Sequence, residues 1–280
     1  MIDLDLRSCE LCPRLCRVNR EEKPGACGCS ARLLAARAAL HFGEEPCISG
    51  TEGSGTVFFS GCNLHCVFCQ NHKISRERYG KALTAVRLAD IFRELEAKGA
   101  NNINLVTPTP WVTEIIKALE LYRPTVPVLY NTSGYERVEV LRELEGLVDV
   151  WLPDYKYADS ALAARFSGAA DYPAVARAAL REMYRQSGNL TLNKEGKAVR
   201  GVMIRHLVLP LHLKNSFAVL DDIAVLFGTE QYVSLMFQYT PFRETRYPEL
   251  NRSLTARERA RAEDYFLRLG FQNGYIQEAD

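Results

Sequence analysis

No cysteine follows Cys69 in this 280-residue sequence, although nine cysteines occur up to that position. Such crowding in a long chain is unlike a disulfide scaffold, which serves mainly small secreted domains. In a reducing compartment, clustered thiols are more simply interpreted as metal ligands. The distribution of cysteine therefore predicts metal chemistry in the first quarter of the chain.

Long apolar runs and an excess of one charge are also missing. No run approaches the roughly 18 apolar residues of a membrane span, and the first residues lack the basic start and apolar stretch of a secretory signal. We therefore expect a cytoplasmic protein without a membrane partner. The 35 Lys and Arg residues nearly balance 34 Asp and Glu residues, which disfavours a non-catalytic metal module that binds nucleic acid.

The apolar pattern becomes regular at Thr56, after a cysteine-rich segment (1–30) and a connector (31–55). We therefore divide the chain into an N-terminal segment with its connector at 1–55 and a larger domain at 56–280. In the larger domain, short apolar runs predict strands at 56–60, 102–106, 126–130, 148–152, 202–209 and 232–237. Helical patterns lie between them, and the last helix begins with the capping box of Thr255 and Glu258.

Six strands with intervening helices predict an α/β fold with a parallel sheet, either open or barrel-like. Because eight such units would be needed to complete a TIM barrel, we expect an incomplete (β/α)6 TIM-like barrel with a small cysteine-rich N-terminal metal-binding segment. In such folds, functional side chains follow the carboxyl ends of the strands.

The first predicted strand leads directly into Cys62, Cys66 and Cys69, which have the spacing C-x3-C-x2-C. A short loop of this spacing can wrap three thiolates around one cuboidal cluster. A [4Fe–4S] cluster usually takes four thiolates, so one iron would stay open to another ligand. A zinc loop or a chance group of buried thiols is the alternative, and the position after a strand and the aromatic Phe68 argue against both.

This motif, preceded by Gly61 and with Phe68 before its last cysteine, resembles the signature of the radical S-adenosylmethionine (SAM) superfamily. In that superfamily, SAM chelates the open iron. An electron from the reduced cluster then cleaves SAM and yields a 5′-deoxyadenosyl radical, which abstracts hydrogen from a substrate. The resemblance implies a [4Fe–4S] cluster and SAM as cofactors, and an electron donor such as flavodoxin or ferredoxin as a partner.

Longer stretches are similar to one branch of that superfamily, the activating enzymes of pyruvate formate-lyase, and within it to the set labelled PflX-like. The resemblance covers nearly the whole chain, and the stretches that carry it are 53–62, 104–109, 152–156, 205–210 and 236–239. It implies an oxidoreductase that abstracts hydrogen from a backbone glycine of a partner glycyl-radical enzyme. A radical SAM enzyme that modifies another peptide or a small metabolite is the alternative.

The resemblance also implies which residues bind SAM: Phe68, Thr107, Thr109, Asn131, Asp154, Lys156 and Arg205. Thr107 and Thr109 occupy the place of a Gly-Gly-Glu-type turn, so the SAM amino group would meet hydroxyls and carbonyls without a carboxylate. A rigid proline turn is the alternative there. Asp154 and Lys156 are implied to lie beside SAM, with an ordinary rim ion pair as the alternative, and Arg205 is implied to contact SAM.

Four cysteines nearer the amino terminus, Cys9, Cys12, Cys16 and Cys27, offer a second set of thiolates. Their spacing fits a tetrahedral Zn²⁺ or a rubredoxin-like iron. The segment has too few apolar residues to fold unaided, so metal binding would supply its folding free energy. An auxiliary iron–sulfur cluster is the alternative, and Cys29 is an alternative to Cys27 as the fourth ligand.

Overall fold

Ten strands form one sheet in the computed structural model, which describes residues 4–277. In chain order the strands are β1 Leu34–His41, β2 Ser54–Phe59, β3 Lys81–Ala82, β4 Ile103–Val106, β5 Val128–Thr132, β6 Val150–Pro153, β7 Thr191–Leu192, β8 Ala198–Leu207, β9 Tyr232–Met236 and β10 Gly274–Gln277. Neighbours in the order β2-β4-β5-β6-β8-β9-β10 are parallel. The strands β1 and β3 extend the β2 edge in the antiparallel sense, and β7 pairs with β8 alone.

Helices lie between most of the parallel strands. They are α1 Pro46–Ser49, α2 His72–Ser75, α3 Ala85–Ala97, α4 Val112–Leu121, α5 Val138–Glu143, α6 Ser160–Ser167, α7 Tyr172–Ser187, α8 Leu213–Phe227 and α9 Ala256–Arg268. Side-chain caps fix the starts of three of them, because Thr84, Asp159 and Thr255 accept hydrogen bonds from the first turns of α3, α6 and α9. The predicted capping box of Thr255 and Glu258 is confirmed.

The predicted α/β class with a mostly parallel sheet is confirmed, and all six predicted strands are present. Central strands such as β6 are buried along their whole length, as expected for a sheet covered on both faces. The strand order has two ends, so among residues 4–277 the sheet forms an incomplete barrel. The count of six was too low, because β10 adds a seventh parallel strand from a short, half-polar stretch at the edge.

The connector is part of the sheet rather than a linker. Strand β1 lies within it and pairs with β2, so the sheet runs across the boundary predicted at residue 55. Helix α1 follows, and its buried Cys47 and Ile48 pack with Leu129, Val150 and Leu152 of β5 and β6. The connector thereby fills part of the sheet's inner face. No helix within the described residues is long and apolar enough to cross a membrane.

Candidate active site

The three cysteines of the central motif lie on the loop that follows β2. Gly61 precedes them with a φ of 89°, and a Cβ at this position would lie 2.0 Å from the sulfur of Cys29. Only glycine fits there, because both the left-handed backbone and the close sulfur exclude a side chain. Immediately before Cys62, the backbone at Gly61 therefore packs directly against Cys29 of the N-terminal segment.

Each sulfur of this set has a hydrogen-bond donor nearby. The backbone N–H of Leu64 points to Cys62 Sγ at 3.4 Å, and the hydroxyl of Ser167, at the end of α6, lies 3.0 Å from Cys66 Sγ. The hydroxyl of Ser75 on α2 is 3.5 Å from Cys69 Sγ. Donors of this kind surround the thiolate ligands of iron–sulfur clusters and tune them.

Burial governs the protonation of these thiols. It raises the pKa of Cys62 to about 12, and it also raises the pKa of Cys66. A buried thiolate needs a compensating positive charge, which bound iron would provide. Within residues 4–277, no three His, Cys, Asp or Glu side chains already converge in a metal-binding arrangement. The donor chemistry fits a cluster, and the ligand assignment stays a prediction.

Asp154 and Lys156, just after β6, lie beside this cysteine loop. They form an ion pair whose side chains are 23% and 16% exposed. Burial alone would lower the pKa of Lys156, but Asp154 and then the Cys66 sulfur raise it above its ordinary value. The ammonium is therefore within electrostatic reach of Cys66, and the ends of β2 and β6 converge as the sequence predicted.

Arg205 on β8 has partners that the sequence analysis missed. Its Nε donates to Glu45 Oε1 at 2.9 Å, and its Nη2 lies 2.5 Å from Glu44 Oε2. The guanidinium is buried, so an unpaired charge there would be costly. In this structure the carboxylates opposite Arg205 belong to the connector, and the predicted contact with SAM stays a prediction.

Glu44 also links the neighbouring strands. Its Oε1 accepts from Asn104 Nδ2 at 3.1 Å and from Asn131 Nδ2 at 3.5 Å. Asn131 and Arg205 thus share Glu44 as a partner, and the predicted contact of Asn131 with SAM stays a prediction. The sequence carried one signal for these contacts: Arg205 lies within an apolar strand, where a buried charge requires an acidic partner.

The turn after β4 separates the two predicted threonines. Thr107 has a φ of 58°, a conformation that is strained for a β-branched residue and is typically retained at functional sites. Its N–H donates to the carbonyl of Asn131 at 2.9 Å, which ties the turn to β5. Thr109 is buried, and its hydroxyl donates to Glu136 instead of remaining free for a ligand.

Phe68 and Tyr239 pack together in the rim of the barrel. The Phe68 ring is edge-on to Phe166 at 6.4 Å and to Tyr239 at 6.2 Å between centroids. The Tyr239 hydroxyl donates to the carbonyl of Leu250 at 2.7 Å. Phe68 therefore anchors the cysteine loop to α6, and its contact with SAM stays a prediction.

The four N-terminal cysteines share one small cavity, with a volume of about 10 Å³. Asn63, next to Cys62, and Thr109 also line it, so the cavity lies against the loop of the central motif. Cys29 does not line it. The Cys29 thiol instead lies 3.6 Å from the carbonyl of Ser60, and its hydrogen bond to Cys27 lowers the pKa of Cys27. This placement favours Cys27 over Cys29 as the fourth ligand.

Comparisons with known proteins agree with this arrangement. The model of the Radical SAM superfamily matches residues 56–181, which include the cysteine loop and the pair after β6. An uncharacterized protein of Methanocaldococcus jannaschii is 32% identical over 90% of this chain and 72% of its own length. The chain belongs to the radical SAM superfamily. Membership implies a [4Fe–4S] cluster and SAM as cofactors of this radical SAM protein.

Solved structures support the fold of this radical SAM protein. A radical SAM methyltransferase from Sphaerobacter thermophilus superposes with a TM-score of 0.55 at 14% identity, over 80% of this chain and 66% of that one. SuiB from Streptococcus suis gives 0.51 at 14% identity, over 77% of this chain and 47% of that one. The chain thus spans less than two thirds of either structure, and at these identities the likeness concerns the fold alone.

The buried Glu136 gives this radical SAM protein a pH dependence. Burial raises its pKa to about 7 from 4.5, although hydrogen bonds from Thr109 and Thr132 oppose the shift. The folded state then binds more protons than the unfolded state between these values, so stability falls as pH rises through that window, by on the order of 3 kcal/mol in total. We expect Glu136→Gln, which keeps the acceptor oxygen, to remove this fall.

Urea unfolding of the parent and Glu136→Gln proteins, from about pH 4 to pH 8, measures the difference. The parent should lose stability relative to the variant as pH rises and then level off above pH 7. Parallel curves for the two proteins would show that Glu136 titrates in the ordinary range.

Proposed function

We propose that this chain is a radical SAM activase, an oxidoreductase that abstracts hydrogen from a backbone glycine of a partner glycyl-radical enzyme. Cys62, Cys66 and Cys69 hold the [4Fe–4S] cluster and leave one iron open for SAM. When bound, the cluster supplies the electron that cleaves SAM to methionine and a 5′-deoxyadenosyl radical. The PflX-like stretches of the sequence support the choice of a protein substrate.

The observation that carries the SAM-cleaving part of the proposal is the position of Lys156 near Cys66. Its charge acts on the Cys66 sulfur, and its hydrogen-bonded partner Asp154 fixes the ammonium at the end of β6. A cation held next to the cysteine loop suits the carboxylate or ribose hydroxyls of SAM.

The remaining candidate residues complete a SAM site on the inner face of the sheet. Asn131 and Arg205 are held by Glu44, which also supplies a carboxylate that the turn at Thr107 lacks. The N–H of Thr107, in its strained backbone conformation, donates to the carbonyl of Asn131 on β5. Within this proposal, Glu44 orients Asn131 and Arg205 for SAM, and Phe68 keeps the cysteine loop in place.

We also propose one structural metal ion in the N-terminal cavity, bound by Cys9, Cys12, Cys16 and Cys27. The four cysteines line one small cavity, which suits a single ion. Arg20 supports an anionic site: it is 1% exposed, its Nη1 lies 3.9 Å from Cys9 Sγ, and within residues 4–277 no carboxylate pairs with it. Four thiolates on Zn²⁺ or ferrous iron form a site of net negative charge, which would compensate the positive charge of this buried guanidinium.

Transfer of hydrogen from a partner glycine tests the activase role directly. The reconstituted and reduced protein should be mixed anaerobically with SAM and pyruvate formate-lyase that carries deuterated glycine. We expect a glycyl radical in the electron paramagnetic resonance spectrum and deuterium in the 5′-deoxyadenosine, because the radical takes its hydrogen from that glycine. The matched control is the same partner with its radical-bearing glycine replaced by alanine.

The outcomes separate the activase from its alternative. Release of 5′-deoxyadenosine without a protein radical or deuterium transfer would reject activation of this partner and favour a radical SAM enzyme for another peptide or a small metabolite. Deuterium transfer that persists with the alanine control would show that the hydrogen comes from another position.

A further inference from the structure

A basic cleft of about 640 Å³ lies beside the cysteine loop. Its lining comes from five parts of the chain: the N-terminal segment, the cysteine loop, the residue that follows α2, the end of α6, and the segment after β9. His65 and Val67, the neighbours of Cys66, form part of its wall. The cleft therefore lies directly beside Cys66.

Arginine dominates the charge of this cleft, which is lined by Arg14, Arg76, Arg165, Arg243 and Arg246. Arg165 is neutralised by Glu249 at 2.6 Å, whereas within residues 4–277 no carboxylate pairs with the other four. Glu244 is the acidic residue in the lining. Because the whole chain has a formal charge of only +1, this concentration is local, and it creates a positive potential over the cleft.

The arginines are held in place without losing their charge. Arg14 Nε donates to the carbonyl of Asn63 at 2.8 Å, and its Nη1 donates to that of Gly168 at 2.6 Å. Arg243 and Arg246 lie over the rings of Phe242 and Tyr247, at 5.2 and 5.0 Å from the centroids. Guanidinium groups positioned in this way, with those of Arg243 and Arg246 exposed, suit an acidic protein surface.

One hydrogen bond connects the cleft to the cluster ligands. Ser167 lines the cleft, and its hydroxyl lies 3.0 Å from Cys66 Sγ. A partner seated in the cleft would be separated from the Cys66 sulfur by little more than this side chain. Electron transfer is fast only over short distances, so this face of the loop is suited to electron entry.

We propose that the arginine cleft docks a small acidic electron-transfer protein, which passes one electron to the cluster. This inference rests on the proposed function, since it requires a cluster held by Cys66 and its neighbours. The donor is oxidised by one electron and the cluster is reduced by one, with no bond made or broken. Arg14 is half-buried beside the cysteine loop, while Arg243 and Arg246 are exposed on the segment after β9 and attract acidic side chains.

Charge reversal at the rim tests the docking surface, with flavodoxin as the acidic probe. The variant Arg243→Glu/Arg246→Glu changes two exposed side chains, and its matched control Arg257→Glu/Arg261→Glu makes the same charge change on α9, outside the cleft. We expect the rim variant to weaken flavodoxin binding and to slow cluster reduction by reduced flavodoxin by roughly tenfold or more at low salt. Reduction by dithionite should be unchanged, because a small reductant needs no docking surface.

Each outcome decides the inference. Unchanged binding and unchanged reduction by flavodoxin in the rim variant would overturn the inference. An equal loss in the α9 control would also overturn it, because the effect would then come from the net charge of the protein and not from the cleft. A rim variant that is reduced normally by flavodoxin, but fails to generate a radical on a protein substrate, would assign the cleft to that substrate instead. If no cluster assembles even in the parent, the proposed function fails, while the binding measurement still tests the cleft.

Discussion

Cys66→Ala is expected to abolish assembly of the [4Fe–4S] cluster. The parent should bind about four iron atoms and four acid-labile sulfides at this site, and the variant almost none. Cys66 is the middle ligand of the loop, and a cluster left with two protein thiolates is poorly held. Its buried sulfur also accepts a hydrogen bond from the Ser167 hydroxyl and interacts electrostatically with Lys156, contacts that an alanine at this position cannot make.

Iron and sulfide analysis with the visible absorption spectrum measures this loss. The content of acid-labile sulfide distinguishes the two metal sites, because a mononuclear ion in the N-terminal cavity brings no sulfide with it. Cys47→Ala is the matched control: it removes another buried thiol, on α1, that belongs to neither set. Full sulfide content in Cys66→Ala, or an equal loss in Cys47→Ala, would contradict the assignment of the loop as the cluster site.

Cys16→Ser is expected to remove the metal ion of the N-terminal cavity. The parent should carry about one zinc or iron ion there, and the variant less than a tenth of that amount. The reason is that a tetrahedral site loses most of its affinity for the metal when one of its four thiolates is removed. Apparent binding free energies of such sites are on the order of 10 kcal/mol, and they contribute directly to folding. The loss should expose the segment to proteolysis, because metal binding is expected to supply much of its folding free energy.

Metal analysis after purification without chelators, followed by limited proteolysis, tests this expectation. Cleavage should concentrate in residues 9–27 of Cys16→Ser and spare both the parent and Cys47→Ala. Proteolysis that is identical in all three proteins would show that the segment folds without metal. Acid-labile sulfide lost from the N-terminal site would instead identify an auxiliary iron–sulfur cluster.

The features that the sequence predicted well are local ones. The motif of Cys62, Cys66 and Cys69 follows β2, and the pair of Asp154 and Lys156 follows β6. Both could be located because parallel strands place their carboxyl ends at one edge of the sheet. The six strands could be predicted because each one is recognisable as an apolar run within its own few residues.

The features that were missed depend on distant parts of the chain. The ion pairs of Arg205 with Glu44 and Glu45 join residues about 160 positions apart, and nothing in the connector alone indicated that it enters the sheet. The Thr109 hydroxyl points to Glu136, which is 27 residues away in the chain, because that buried carboxyl accepts a hydrogen bond from it. Strand β10 was missed because an edge strand with a glycine and a polar end has a weak pattern.

Release of 5′-deoxyadenosine tests the central claim most directly. The protein should be purified anaerobically, reconstituted, reduced with dithionite and mixed with SAM, with Cys66→Ala treated in parallel. We predict that the parent forms 5′-deoxyadenosine and methionine, and that the variant forms neither above the rate in buffer. A parent protein that carries a complete, reduced cluster and leaves SAM intact, both alone and with pyruvate formate-lyase present, would contradict the account.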